Sequence, residues 1–372
     1  MLYSISLKKR IVRHIVLFLA LSNAAYAQQS AKYSYSLGGE VFEGFILRHH
    51  EYLGHLILDR PTGFSFSLWK HTNGNKEWEA NYNYPDIAFS ISYYDLKNDA
   101  HLGKVITAST GMAFHLLGKA PIKNDLQFFI GLGLAYSTNP YDQATNNLNN
   151  VISTPITYNG NFRLSYWHQM GRLGLGTSLK LTHFSNGSLK QPNNGLNMVT
   201  ANLEARYRLS GEESEYKEAV ESKEINKGIR WGGMVHMGWA EAPPIGTGSR
   251  PVYNLSVMGQ KRVSLKSQLD FGIEGFANTA IKQEIENGPP FDGEVPDYKR
   301  VGVFFGHELL VNNLTLVTQL GFYAYKPYYP KERVYMRIGL HYYINDHLYA
   351  GLTLKTHYAV AEVIEYGLGY RF

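Results

Sequence analysis

His183 and Ser185 stand two residues apart in Leu179-Lys180-Leu181-Thr182-His183-Phe184-Ser185-Asn186-Gly187. On a strand, side chains at this spacing leave the same face. An imidazole can then take the proton of a serine nucleophile. Leu179 and Leu181 share that parity, whereas Lys180, Thr182 and Phe184 take the other face. A polar pair turned with leucines towards hydrocarbon is costly to keep unless it has a use. The stretch opens into a Gly- and Asn-rich loop over 187–195. Beyond it, Asn197, Val199, Ala201 and Leu203 fall on one face, and Met198, Thr200, Asn202, Glu204 and Arg206 on the other. If the apolar set meets lipid, Asn197 emerges beside His183 and Ser185.

A lipid-facing site requires strands that cross a membrane, and the chain reads that way. Lys8, Lys9, Arg10 and Arg13 precede the apolar run Ile15–Leu21, and Ala25-Tyr26-Ala27 supplies a small-x-small cleavage site. Residues 1–27 are therefore expected to be a signal peptide, its core too short to span a bilayer as a helix. Those four basic residues, unaccompanied by acids, reduce the formal +5 to +1 for the remainder, so no nucleic-acid partner is implied. Cysteine is absent, which removes disulfides and thiolate metal sites. Beyond residue 27 no apolar run is long enough for a transmembrane helix. Aromatics abound, with 28 Tyr, 18 Phe and 5 Trp, as the interfacial girdles of membrane barrels require. The final stretch, Ile364 to Phe372, alternates apolar or aromatic residues with Glu365, Gly367, Gly369 and Arg371. Its closing Phe resembles the recognition signal of outer-membrane proteins, which places the chain in the outer membrane of a Gram-negative bacterium.

The expected fold class is all-β, an antiparallel transmembrane β-barrel. Alternation and turn residues mark strand starts near 32, 63, 86, 101, 126, 155, 172, 196, 228, 250, 266, 298, 313, 333, 347 and 362. With a periplasmic C-terminus, the tight links Asn312-Asn313 and Asn345-Asp346 fall inside, and the long segments 49–62, 139–154 and 281–297 outside. Residues 211–227, highly charged, are expected to form a linker between a unit over 28–210 and strands over 228–372. The halves end alike, in Tyr207-Arg208-Leu209 and Tyr370-Arg371-Phe372, with Thr182-His183-Phe184 and Thr356-His357-Tyr358 shortly before. Duplication or chance could produce this. Two architectures stay open: one barrel of 14–16 strands, or an eight-stranded unit followed by a second barrel-like unit.

The stretch 181–197 resembles the PagL-type lipid A 3-O-deacylases, through His183, Ser185, Asn186, Lys190-Gln191-Pro192-Asn193 and Gly195-Leu196. The resemblance is looser over 31–210 and does not obviously cover 228–372. It implies an eight-stranded outer-membrane barrel that hydrolyses the ester of the 3-hydroxyacyl chain at position 3 of lipid A. Ser185 would be nucleophile and His183 general base, with Asn186 and backbone amides near Ser188 forming the oxyanion hole. The family's triad acid aligns with position 197, where this chain has Asn. An amide oxygen at Asn197 can still orient the histidine, without the full charge of a carboxylate. The expected partner is lipid A within lipopolysaccharide. No metal or organic cofactor is implied, and a homodimer is left open.

Other residues read as structural. His307-Glu308 lacks the second histidine of a zinc-protease helix. His357 has Ala359 where a serine would be needed, and lumen parity. His49-His50 and the tyrosine-rich stretch 323–329 read as loop and interface girdle. The competing function is a channel lined by Lys180, Glu204, Arg206 and Arg371, or a barrel that binds lipopolysaccharide without catalysis.

Overall fold

The computed structural model describes residues 33–118, 122–209, 216–218, 228–328, 332–358 and 360–372. The expected signal peptide and most of the expected linker lie outside these residues, as does Ala359. Strands form where alternation predicts them. The first eight are β1 (Ser34–Ile46), β2 (Thr62–His71), β3 (Asp86–Asp95), β4 (Lys104–His115), β5 (Asn124–Ser137), β6 (Ile156–Met170), β7 (Leu173–Ser185) and β8 (Leu196–Arg208). The second eight are β9 (Ile229–Ala240), β10 (Arg250–Arg262), β11 (Ser267–Asn278), β12 (Lys299–Val311), β13 (Leu314–Tyr325), β14 (Val334–Tyr343), β15 (Leu348–His357) and β16 (Val360–Arg371).

Closure decides between the two open architectures. β8 pairs back with β1, and β16 pairs back with β9, which gives two closed antiparallel barrels of eight strands. The single barrel of 14–16 strands is not formed. Local alternation sets the number of strands but says nothing about which distant strand closes the sheet, because that pairing is long-range. Among the described residues no helix is long and apolar enough to cross a membrane. The tight turns at Asn312-Asn313 and Asn345-Asp346 share one end of the second barrel with Phe372, whereas the long connections lie at the opposite, loop end.

Eight strands enclose an interior just wide enough for side chains to fill. In the first barrel Glu40 is paired with Lys180 and with Arg163 at 2.9 Å, and Arg163 also meets Glu204 at 3.1 Å. The Arg206 guanidinium lies between Trp69 and Trp167, 3.3 and 3.7 Å from their ring centroids. In the second barrel Arg337 meets Glu365 at 2.6 Å and Glu274 at 3.0 Å, while Glu308 binds His341 and Tyr343 at 2.9 Å each. Lys180, Glu204, Arg206 and Arg371 are thus buried in the interiors, Arg206 and Arg371 beside cavities of about 440 and 480 Å³ at the turn ends. Tyr323, expected at an interface girdle, is buried against Phe276 and Tyr335 in the second lumen instead. Its alternation points it inwards, a distinction that composition cannot make.

The loop end of the first barrel is closed by an apolar cluster. Leu53, Leu56, Leu96, Leu102, Val151 and Ile152 from the connections pack on Tyr94, Phe184, Leu196 and Met198 from the strands. This cluster holds the ends of β7 and β8, and with them the residues singled out above, in one arrangement.

Candidate active site

Ser185 is the last residue of β7, and its side chain leaves the exterior face together with His183, Leu181 and Leu179. Leu179 is 61% exposed, whereas Lys180, Thr182 and Phe184 are buried inside, so the pair sits on the surface that meets lipid. The register places His183 opposite Asn197 of β8, and Ser185 opposite Tyr158 of β6.

His183 Nδ1 lies 2.6 Å from Asn197 Oδ1. Nδ1–H therefore donates to the amide oxygen, leaving Nε2 as a free base on the neutral ring. Asn197 Nδ2 lies 3.3 Å from His49 Nδ1, which also lies 3.1 Å from the Leu47 carbonyl. His49 in turn donates from Nε2 to the Asn194 carbonyl at 3.1 Å. Gly195 has φ of +73°, and a Cβ there would lie 2.9 Å from His183 Cε1. Glycine lets the backbone turn left-handed against the face of the imidazole.

The Ser185 Oγ accepts hydrogen bonds from Asn193 Nδ2 at 2.9 Å and from Gly187 N at 3.1 Å. Among the described residues no hydrogen bond joins Ser185 to His183. The hydroxyl proton is therefore uncommitted, on the face where Nε2 stands; such contacts commonly tighten only when substrate binds. Asn186 behaves differently from the sequence expectation. Its side-chain amide turns inwards and donates to Ser153 Oγ at 2.8 Å and to the Lys190 carbonyl at 3.0 Å, and its backbone N–H donates to Asn193 Oδ1. Both side-chain donors are thus spent shaping the loop. The Asn186 side-chain oxygen, by contrast, is buried with no hydrogen-bond partner among the described residues. Gly187 and Ser188 follow with φ of +63° and +72°.

The second barrel reaches this loop. The Glu241 N–H donates to the Ser188 carbonyl at 2.9 Å, and its carboxylate accepts from Gln191 N at 2.6 Å. Ser188 Oγ donates to the Ala361 carbonyl at 2.7 Å. Tyr158, cross-strand neighbour of Ser185, meets Tyr366 of β16 through their hydroxyls. The His183–Ser185 pair therefore lies at the seam between the barrels.

A second Ser-His-Asp set occurs inside the first barrel. Ser36 Oγ lies 2.7 Å from His71 Nε2, and His71 Nδ1 lies 2.7 Å from Asp86 Oδ1, beside a cavity of about 440 Å³ at the turn end. Ser36 is buried near the start of β1, paired with Trp69 and Arg208 on the two neighbouring strands, so among the described residues its backbone belongs to the β-ladder and offers no oxyanion pair. Its place is within the polar filling of the lumen.

Two family models match the chain. "Lipid A 3-O-deacylase (PagL)" matches residues 62–206, and "Acyloxyacyl hydrolase, C-terminal domain" matches residues 229–372. The chain belongs to the PagL family of lipid A 3-O-deacylases. It is an ester hydrolase and an outer-membrane β-barrel. The two matches fall one on each barrel, so the second barrel also matches an acyloxyacyl hydrolase model, which the resemblance over 181–197 did not reveal. No curated protein matches. Among solved structures, the outer membrane enzyme PagL is 13% identical, with 45% of this chain and 97% of that one covered and a TM-score of 0.29. Neisserial surface protein A is 8% identical, with 46% and 96% covered and a TM-score of 0.30. Acinetobacter baumannii Omp33 is 7% identical, with 92% and 100% covered and a TM-score of 0.18.

Three residues around the candidate site escaped the sequence reading. Asn193 sits in the recognised loop motif without any local sign of its bond to Ser185. His49 lies in the connection after β1, far from His183 in sequence. Glu241 comes from the other barrel. Only the closed sheets and their contact bring these residues together.

Proposed function

We propose that this chain removes the 3-O-linked hydroxyacyl group of lipid A with Ser185 as nucleophile, His183 as general base and Asn197 as the residue that orients His183. The observation that carries this reading is the His183–Asn197 hydrogen bond of 2.6 Å on the barrel's exterior face, one turn of the pleat from Ser185. Lipid A resides in the outer leaflet, and lateral diffusion brings its ester to a site on the barrel wall without any passage through the lumen.

In the acylation step Ser185 Oγ attacks the ester carbonyl carbon while His183 Nε2 takes the hydroxyl proton. Asn193 holds Oγ in line through its side-chain N–H. The negative charge that develops on the carbonyl oxygen is met by the backbone N–H of Ser188, with Asn186 acting through the shape of the loop and the Gly187 N–H holding Oγ. The protonated imidazole then gives its proton to the departing sugar hydroxyl, which leaves an acyl-serine. Water, activated by the same nitrogen, releases the 3-hydroxy fatty acid and restores Ser185. Asn197 supports both steps by holding the ring in one tautomer. All these groups come from one chain, so the chemistry does not depend on a homodimer.

Mass spectrometry of lipid A from cells expressing wild type or Ser185→Ala tests the reading. The expected result is a mass loss of one 3-hydroxyacyl chain with the wild type alone. Identical lipid A from both strains, with both proteins folded in the outer membrane, would overturn it.

A further inference from the structure

We infer that the second barrel acts as a clamp on the loop that follows the nucleophile, and that Glu241 is the positioning residue through which it acts. The inference rests on the assignment of Ser185 as nucleophile and goes beyond it, because it gives residues 229–372 a part in the chemistry of the first barrel.

Glu241 lies just past the end of β9 and is buried. One carboxylate oxygen accepts from Gln191 N at 2.6 Å. The other accepts from Gly246 N at 2.8 Å and Gly248 N at 2.9 Å, both in its own connection. Its backbone N–H donates to the Ser188 carbonyl at 2.9 Å. A single residue thus joins the connection after β9 to two points of the loop 187–191. Charge-assisted bonds from backbone N–H groups are about twice as strong as neutral ones and hold their geometry closely.

Three further contacts bind the same loop to the second barrel. Ser188 Oγ donates to the Ala361 carbonyl at 2.7 Å, and Ser249 Oγ binds the Leu189 carbonyl. At Gly187 the place a Cβ would occupy is taken by the side chain of Ile364. Ser188 adopts φ of +72°, a conformation that a residue with a Cβ leaves unless its surroundings fix it. Both its side-chain hydroxyl and its carbonyl are fixed by the second barrel. The amide of Ser188, which faces the developing oxyanion in the proposed mechanism, therefore owes its orientation to contacts from another sheet. Preorganised donors of this kind act only when they are held before the charge develops.

The experiment uses the full-length protein in detergent-phospholipid micelles, with purified lipopolysaccharide as substrate. Wild type, Ser185→Ala, Glu241→Gln, Glu241→Asp and Ser188→Ala are compared for kcat and KM, with heat-modifiable gel mobility as the check on folding. Glu241→Gln puts an N–H group where one or two backbone N–H groups converge. Its expected effect is a fall in kcat of roughly ten- to a hundredfold with KM changed by less than about threefold, since loss of a single oxyanion donor costs about 10²–10³. Glu241→Asp should recover part of that loss, and Ser188→Ala, which loses only one bond, should fall less. The rate at which a small alkylphosphonate modifies Ser185 should drop in parallel with kcat. A folded Glu241→Gln with wild-type kcat would overturn the clamp and leave the Ser185 assignment intact. If Glu241→Gln does not fold, wild-type kcat in Ser188→Ala would overturn it equally. Activity undiminished in Ser185→Ala would instead remove the assignment on which the clamp rests.

Discussion

Replacing Asn197 separates orientation from charge in this site. In Asn197→Ala the His183 Nδ1–H loses the acceptor it now has at 2.6 Å, and the ring is free to rotate or to place its proton on Nε2. The bond is ordinary while the imidazole is neutral and becomes charge-assisted once His183 holds the serine proton. A bond to a charged group contributes about 1.5–3 kcal/mol, against roughly 1 kcal/mol for a neutral pair. The part realised only in the transition state lowers kcat, and each 1.36 kcal/mol is about tenfold. Asn197→Ala should therefore reduce kcat by roughly ten- to a hundredfold with little change in KM, because the hydrogen bonds of its side chain go to His183 and His49. Asn197→Asp keeps the acceptor oxygen in place and adds a full charge beside the forming imidazolium. It should raise kcat above wild type by up to about tenfold, since opposite charge at this range is worth a kcal/mol or more. The assay is release of 3-hydroxy fatty acid from purified lipopolysaccharide at saturating substrate, with all variants checked for heat-modifiable mobility. Equal kcat in wild type and Asn197→Ala would refute the orienting role.

Three further outcomes are expected. An alkylphosphonate probe should modify Ser185 and leave Ser36 untouched although the Ser36–His71–Asp86 geometry is closer, which peptide mass spectrometry will show; a Ser36 adduct would mean the lumen set is reactive. Gly187→Ala should lower activity strongly, because the new Cβ runs into Ile364 and φ of +63° costs an L-residue roughly 1–2 kcal/mol, and adding Ile364→Ala should restore only part of it in the same fatty-acid assay. Glu40→Gln leaves Lys180 and Arg163 buried without their shared carboxylate and should destabilise the first barrel by about 3–5 kcal/mol, measured by urea unfolding in phospholipid vesicles; an unchanged midpoint would show that the pairs do not hold the barrel.

Much of this was legible in the chain. Alternation placed all sixteen strands within a few residues, because a half-buried strand must write its period into the sequence. The same alternation put His183, Ser185 and Asn197 on one face, and the register now pairs His183 with Asn197. What alternation does not contain is closure. The pairings β1–β8 and β9–β16 join residues more than a hundred positions apart, and nothing local in Val41 or Leu203 names the other as its partner. For the same reason the seam was invisible: Glu241 has no feature in sequence that distinguishes it from any loop carboxylate. Asn186 failed for a different reason. A motif reports that an amide belongs at that position, but the direction of its side chain follows from the loop, which turns it towards Ser153 and Lys190.

The two barrels also differ in the face that their related histidines occupy, which bears on why the proposed mechanism uses only one sheet. Thr-His-aromatic occurs at the loop end of the seventh strand of each barrel, as Thr182-His183-Phe184 in β7 and Thr356-His357-Tyr358 at the end of β15. In β7 the histidine shares parity with exposed Leu179 and Leu181, so it stands outside. In β15 the buried residues are Tyr349, Thr353 and Lys355, and His357 continues their parity inwards, with Nε2 3.0 Å from the Tyr323 hydroxyl and 3.7 Å from Glu362. The pairing of β15 with β16 shifts register between Lys355 and Thr356. Because side chains alternate with a period of two, a histidine at the same height on the same strand can serve opposite faces. Turned inwards, His357 joins Arg300, Lys355 and Glu362 in filling the lumen, out of reach of any lipid ester. The second barrel is thereby left with its outer wall as its means of contributing, and that wall, through Glu241, Ala361 and Ile364, is what meets the loop beside Ser185.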